Sequence, residues 1–417
     1  MDKKKLAIIG TGISGMGCAH YLQHAFDITV FEKANYIGGH TNTVYVDENG
    51  NSIPIDTGFI VFNNENYPNL IKLFNDLHVP VKKTMMSFSA QILHEKIEYC
   101  GSSLNLLFAQ RKNIFSPRYI KFLTQLNKFN SECLEILVDE KLQHLSIKEY
   151  CDYKKLGEDV LNWYLLPMSS ALWSTPPETS SLFPAASLVR FFKNHGFLGL
   201  NTQFQWFTVN GGSEEYKKRL IAPFKERIRT NMPVTSVSKN ENSVIIKTAS
   251  GETFLFDKVI IATHADQAMK MLDEDFTNEK EILASFKYEK NRATLHTDVS
   301  VMPKRIKTWS SWNYCIEKTE GKMNSACTYW MNSLQQVSKN KNYFVTINEC
   351  KPINKSKIIK EIIYEHPIFT VEAMEKQKSM TLLNSNDQLY FCGSYFRYGF
   401  HEDALTSAVE VCEKILI

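Results

Sequence analysis

A chain of 417 residues, 43% hydrophobic and 22% charged, holds the material of two or three globular domains and can bury a large core. A net charge of +3 gives no basis for a nucleic-acid partner. Nine scattered cysteines with no CxxC pair argue against a disulfide framework or a zinc site, and fit a cytoplasmic, reducing location.

The first stretch, "MDKKKLAIIG", is basic and then apolar, as a signal peptide would be. The apolar run breaks at once into Gly10, Thr11 and Gly12, which reads as a buried parallel strand and a turn. Residues 14–25 read as a helix and "DITVFE" as the next strand, a β-α-β unit at the N-terminus. Residues 63–77 look helical, and "VPVKK" extended. From about Ser87 to Gly199 the pattern is mostly helical. Ser116 is the expected N-cap of a helix that has Pro117 at its first position, "SIKE" (146–149) is a capping box, and a short helix over 158–166 ends at Pro167.

Strand signals return in "VTSVSKNENSVIIKTASGETFLFDKVIIATHA", which reads as three β runs, and in "RATLHTDVSVM" and "SACTYWMN". The last stretch, "QLYFCGSYFRYGFHEDALTSAVEVCEKIL", reads as strand, glycine turn and helix. No segment approaches the roughly 18 uncharged apolar residues of a membrane span.

Two glycine signals carry the chemistry. Gly10, Gly12 and Gly15 form GxGxxG between a strand and a helix. There Gly10 permits the tight turn, Gly12 lets a pyrophosphate approach the backbone, and Gly15 lets helix and strand pack closely. Glu32 ends the second strand 22 positions after Gly10, where a carboxylate accepts hydrogen bonds from a ribose diol. Six positions on stands "GGHTNT", starting at Gly38 and Gly39. A nicotinamide site has no need of it, whereas a second backbone segment closing over the pyrophosphate and ribityl chain of FAD does.

This arrangement resembles the flavin-containing amine oxidase superfamily. The resemblance covers Gly10, Gly12, Gly15, Glu32, Gly38 and Gly39, and departs at His40, where amine oxidases usually have Arg. Further matches are "IDTGFIVF" (55–62), "VNGGSEEYKKRL" (209–220), Val234, and Cys392-Gly393-Ser394 in place of Ala-Gly-acid. The helix opened by "FHEDALTSA" is expected to aim its N-terminus at the flavin pyrimidine ring, with Glu402 or Asp403 in cap range. "ALWSTPPETSSLFPAASLVRFFKNHGFL", "SSWNY", "TYWMNSLQ" and "YEHPIF" are similar to a bacterial group of amine-oxidase-like NAD/FAD-binding proteins associated with cyclopropane-fatty-acid-synthase-type methyltransferases.

The expected fold is α/β: a Rossmann-like FAD-binding domain with a parallel sheet (1–86, 205–267, 386–417) interleaved with a mixed α+β substrate domain (87–204, 268–385). The implied FAD-binding set is Gly10, Gly12, Ile13, Ser14, Gly15, Glu32, Lys33, Gly38, Gly39, His40, Thr41, Gly58, Val234, Gly393, Ser394, His401, Asp403 and Ala404. The histidines 195, 264, 296, 366 and 401 lack ligand spacing, so no metal is expected.

The lysine common in amine oxidases cannot be aligned. Arg292, His296 or Asp298 of "RATLHTD" occupy roughly that region, and Tyr398 is a further catalytic candidate. Trp173, Phe183, Trp309, Trp312, Tyr329, Trp330 and Tyr398 are candidates for an aromatic pocket. The reading is an FAD-dependent oxidoreductase acting on a hydrophobic lipid or acyl chain. Amine oxidation is the alternative, and a non-redox flavin protein or a GDP-dissociation-inhibitor-like binder stands behind that. "LNLLFAQRKNIF" (104–115), apolar and then basic, is a candidate for peripheral membrane contact.

Overall fold

The computed structural model describes residues 3–199 and 202–417. In the strand Lys5–Ile9 every residue after the lysine is buried, as a strand covered on both faces requires. It is the middle of five parallel strands, in the order Ile228–Arg229, Asp27–Phe31, Lys5–Ile9, Lys258–Ile261, Leu389–Phe391.

One face of this sheet (Leu6, Ile8, Val30, Ile260) packs under the first helix, Ile13–Leu22, and the C-terminal helix, His401–Leu416. These two helices approach closely because Gly17 offers no side chain: a Cβ there would lie 2.9 Å from Leu405 Cδ1. The other face (Ala7, Ile9, Val259, Ile261) packs under a three-stranded antiparallel sheet, Val234–Asn240, Ser243–Thr248 and Thr253–Phe256. The long β segment thus holds four strands, Lys258–Ile261 leaving to join the parallel sheet, where the sequence suggested three runs.

The second large sheet has seven strands, in the order Ile358–Ile368, Lys287–His296, Phe344–Ile347, Lys322–Trp330, Trp312–Thr319, Phe88–Ile92, Ile97–Cys100. All neighbours are antiparallel except Trp312–Thr319 with Phe88–Ile92. A separate core of helices covers one face of it, built on Tyr119, Phe122, Trp163, Phe192 and Tyr314.

The hairpin Phe88–Cys100 lies where mostly helix was expected. Its first strand is buried throughout, so no alternation marks it. Ser116 caps the helix Pro117–Glu132, and the Ser146–Glu149 capping box forms, both as anticipated.

Two expected boundaries fail. The helix anticipated over 63–77 starts only at Pro68, because Asn63 Oδ1 accepts from the N–H groups of Glu65 and Asn66 and holds a turn there. Pro167 does not end its helix. A π-helical turn, Leu161–Leu165, widens the backbone just before it, and the helix continues as Leu166–Trp173. That helix stops at Ser174, whose φ of +53° is left-handed.

Candidate functional site

Between the parallel sheet and the seven-stranded sheet lies a cavity of about 910 Å³. It is at the upper end of the roughly 300–1,000 Å³ of small-molecule sites. Three groups of residues form its walls.

The glycine wall comes from both glycine signals. Gly10 has φ +103°, and a Cβ on it would sit 2.7 Å from Ala262 O; its turn accepts no other residue. Gly15 is needed for packing, since its Cβ would meet Gly10 O at 1.9 Å. Gly12 differs. Its φ of −61° suits any residue, and a Cβ would find nothing within 4 Å. Nothing in the protein requires glycine there, but a ligand pressed against the backbone at a helix N-terminus does. Gly39 (φ +57°) faces it, with its Cβ position 3.3 Å from Gly12 Cα.

Glu32 sits between these loops. Its Oε2 accepts from the Thr11 N–H (3.0 Å) and hydroxyl (2.5 Å), and Oε1 accepts from the Ala34 N–H alone (2.9 Å), so Oε1 keeps a lone pair for a ribose hydroxyl. Lys33, Met232, Val234, Gly393 and Ser394 complete this wall. The N-terminus of the C-terminal helix joins it through His401 and Ala404, and Ser14 Oγ ties the two helix starts by donating to Ala404 O at 2.8 Å.

A polar wall contains His40, His264, Tyr364, Glu365, His366 and Lys290. The His40 ring stacks on Tyr364 (4.7 Å, 25°) and lies 5.1 Å from His366. Its Nε2 is buried without a partner. Burial first, then His366, His264 and His401, hold His40 well below the usual imidazole range, so it is neutral and a hydrogen-bonding rather than a cationic group. His264 Nδ1 lies 3.6 Å from Glu365, and this contact holds the Glu365 carboxyl down at about 2.

The third wall is aromatic and apolar: Phe59, Ile60, Tyr67, Leu172, Phe191, Trp206, Trp312, Tyr329 and Phe400, with Ser174. Its only polar side chains are hydroxyls and the indole N–H groups. The lining carboxylates, Glu32 and Glu365, belong to the other walls.

A family model described as flavin containing amine oxidoreductase matches residues 13–294. The chain belongs to this family. Comparison with curated proteins returns no match. Among solved structures the chain is similar to a CLA-producing fatty acid isomerase from P. acnes (12% identity, TM-score 0.70, 99% of each chain covered). It is also similar to putrescine oxidase bound to putrescine (13%, 0.69, 99% of each) and to cyclohexylamine oxidase from Brevibacterium oxydans (14%, 0.66, 100% of each). At such identities the likeness shows the fold alone.

The flavin amine oxidoreductase family uses FAD, and the residues present fit it. Gly12 and Gly39 leave a bare strip of backbone, Glu32 Oε1 has a lone pair to spare, and two helix N-termini converge on one cavity. The protein is an FAD-dependent oxidoreductase. Of the expected set, Gly10, Gly12, Ile13, Ser14, Glu32, Lys33, Gly38, Gly39, His40, Gly58, Val234, Gly393, Ser394, His401 and Ala404 line the cavity.

Gly15, Thr41 and Asp403 do not line it; they brace it. Thr41 bonds to Tyr216 OH, which lies 2.7 Å from His401 Nε2. Asp403 Oδ2 accepts from the Phe400 and Tyr398 N–H groups. Cys392 is buried 3.7 Å from Cys18 Sγ and is absent from the lining, so it is not placed for a covalent flavin bond.

The catalytic candidates need correction. His296 is fully buried away from the cavity, with Nε2 2.7 Å from Thr346 Oγ1. Asp298 accepts from the Ser300 and Asn354 N–H groups and from Lys357, and these bonds, acting against burial, hold it at about 2. His296 ends the strand Lys287–His296 and Asp298 follows it, both absent from the cavity lining. Arg292 turns outward to Glu349 and Glu361. Tyr398 lies outside the lining, under the Arg190 guanidinium at 6.0 Å.

Of the aromatic candidates only Trp312 and Tyr329 reach the cavity. Trp173 and Phe183 are core, and Trp309 packs edge-on to Trp330 elsewhere. Sequence reading missed Trp206, Phe191, Phe400 and, apart from His40, the polar wall. The apolar run around Phe191 and the "YEHP" stretch were the available signals. The described residues contain no group of three or more potential metal ligands, and none of their helices is long and apolar enough to cross a membrane.

Proposed function

We propose that the enzyme oxidises an uncharged hydrophobic substrate, a lipid or acyl chain, held against the aromatic wall. One observation carries this reading: the aromatic wall has neither a carboxylate nor a cation. A chain of CH₂ groups needs only apolar contact and exclusion of water there, which Trp206, Trp312, Phe191 and Phe400 supply. When bound, FAD supplies a two-electron centre that accepts hydride. The chain's own part is to orient the substrate and keep the site dry. The Tyr67, Tyr329 and Ser174 hydroxyls and the unpartnered Trp206 indole N–H are the groups available to fix a polar end.

The resemblance to proteins that accompany acyl-chain methyltransferases supports the same substrate class. The fold does not decide it, because a fatty acid isomerase and two amine oxidases share it equally. Amine oxidation is the second reading, favoured by the aromatic walls themselves, since a ring box also accommodates an amine. Anaerobic mixing of the oxidised enzyme with membrane phospholipids, and separately with primary, secondary and polyamines, separates the two. Flavin bleaching by lipid is expected. Bleaching by an amine and by no lipid overturns the proposal.

Three further assignments belong with it. The domain exchange is placed at 86/87, 204/205, 267/268 and 385/386, supported by each segment's strands staying within the sheets of one domain. A cytoplasmic location is supported by nine unpaired cysteines. Peripheral contact with an anionic bilayer is supported by residues 99–131, which contain no Asp or Glu and five Lys or Arg, while Leu104, Ile114 and Phe115 are exposed, the last at 86%. Phe115→Asp should then abolish co-sedimentation with anionic vesicles; unchanged co-sedimentation would remove the contact.

A further inference from the structure

One polar chain runs from the strand surface through the buried Asn291 to the cavity. The Arg292 N–H can only donate, so the atom 3.1 Å away must be Asn348 Oδ1 acting as acceptor. Asn348 also donates its own N–H to Arg292 O at 2.8 Å, in a left-handed conformation (φ +60°) that fixes the side chain over the strand. Its Nδ2 therefore points at Asn291, whose Oδ1 accepts at 2.6 Å. Asn291 is fully buried, and its Nδ2 is thereby directed at His366 Nδ1, 3.0 Å away, with Glu289 O as a second acceptor at 3.3 Å. The orientation of every amide follows from one backbone N–H. His366 Nδ1 is an acceptor and carries no proton, so the neutral ring carries it on Nε2.

His366 lines the cavity, and its Nε2 has no hydrogen-bond partner among the described residues. Burial, with His264 second, lowers its pKa to about 4, which agrees with a neutral ring. Its neighbours belong to the flavin-binding segments rather than to the aromatic wall. His40, from the second glycine signal, is 5.1 Å away, and His264 follows the strand Lys258–Ile261.

We propose that His366 is held by Asn291 and Asn348 as a neutral Nε2–H donor to bound FAD, with the two asparagines as positioning residues. This rests on FAD occupying the cavity. The titratable and charged groups around His366 are His40, Tyr364, His264, Glu365, Lys290 and the cross-strand Glu289.

The test uses the purified protein and three variants. FAD affinity is measured by titrating apoprotein, and the visible flavin spectrum is recorded. The His366 tautomer is read from ¹⁵N-histidine NMR of the apoprotein. His366→Phe keeps a ring and loses the donor; FAD should bind about 3–10-fold more weakly, the range of one neutral hydrogen bond, with a shifted flavin spectrum. His366→Gln restores a donor and should recover most of both. Asn291→Asp replaces the donor to Nδ1 by an acceptor and should move the proton to Nδ1, or charge the ring, at neutral pH.

Wild-type NMR should show a protonated Nε2 and a bare Nδ1 down to about pH 5. A proton on Nδ1 in wild type, or unchanged affinity and spectrum in His366→Phe, overturns the proposal. A wild-type protein that takes up no FAD would instead overturn the flavin site itself.

Discussion

The glycine wall and the aromatic wall border one cavity but are built in opposite ways. The first is local: Gly10, Gly12, Glu32 and Gly39 come from one span of 30 residues, and each has a separable task visible in the backbone. The second is assembled from Phe59, Leu172, Phe191, Trp206, Trp312 and Phe400, which share no local pattern and meet only because two sheets and a helical layer close on each other. A cofactor shared across a family needs invariant backbone geometry. A substrate needs only a shaped apolar surface, which many sequences can supply.

The largest effect that sharpens this contrast is Gly10→Ala. The left-handed backbone and the 2.7 Å approach to Ala262 O mean strain in the apoprotein itself, about 2 kcal/mol or more of lost stability by denaturant titration, together with loss of FAD. Gly12→Ala should leave apoprotein stability within about 0.5 kcal/mol, yet weaken FAD binding by about 1–3 kcal/mol. Equal destabilisation by both substitutions would erase the distinction between a folding glycine and a ligand glycine.

Acid acts on residues packed behind the walls and in the core. His195, stacked on Phe191 at 3.8 Å, and His296 are held by burial at about 4, against 6.5 in an unfolded chain. Between those values the unfolded chain takes up protons that the folded one refuses. Stability is therefore full above about pH 6.5 and falls as pH drops toward 4, by up to about 3 kcal/mol per histidine. Asp403 works in reverse: burial raises it to about 6, and its contribution is lost as pH rises from about 4 to 6. His195→Phe should flatten the acid limb of a thermal-stability profile; an unchanged limb would show that this ring titrates freely.

Glu32→Ala should weaken FAD by about 1.5–3 kcal/mol, as for a hydrogen bond to a charged group, without conferring NAD binding. Trp312→Ala is the smallest test for the cofactor. FAD affinity should stay within about twofold, while KM for a hydrophobic substrate rises, since one large aromatic contributes about 1.5–3 kcal/mol of burial. A large loss of FAD in Trp312→Ala would mean that the two walls do not divide the work.

Legibility followed the same line. The strand, turn and helix around Gly10, the second glycine pair, Glu32 and the C-terminal helix were readable because each depends on a few consecutive residues. The helix caps at Ser116 and Ser146 were readable for the same reason. The hairpin at Phe88–Cys100 was not, because burial on both faces removes the alternation that marks a strand. Pro167 misled because the π turn that accommodates it leaves no single-residue signature. On and just after the strand Lys287–His296, the sequence drew attention to chemically conspicuous residues, Arg292, His296 and Asp298, whereas the fold brings Lys290 to the cavity and Asn291 to His366, 75 positions away. Which residues of a strand face a site depends on where the sheet crosses it, and that is a tertiary fact.

The measurement that bears most directly on the whole account is the flavin content of the purified protein. The protein should be yellow, with blue and near-ultraviolet absorbance bands, and acid precipitation should release all of the colour as FAD, since Cys392 is packed away beside Cys18. A colourless protein that takes up no FAD on reconstitution, or colour that stays with the precipitate, would contradict it.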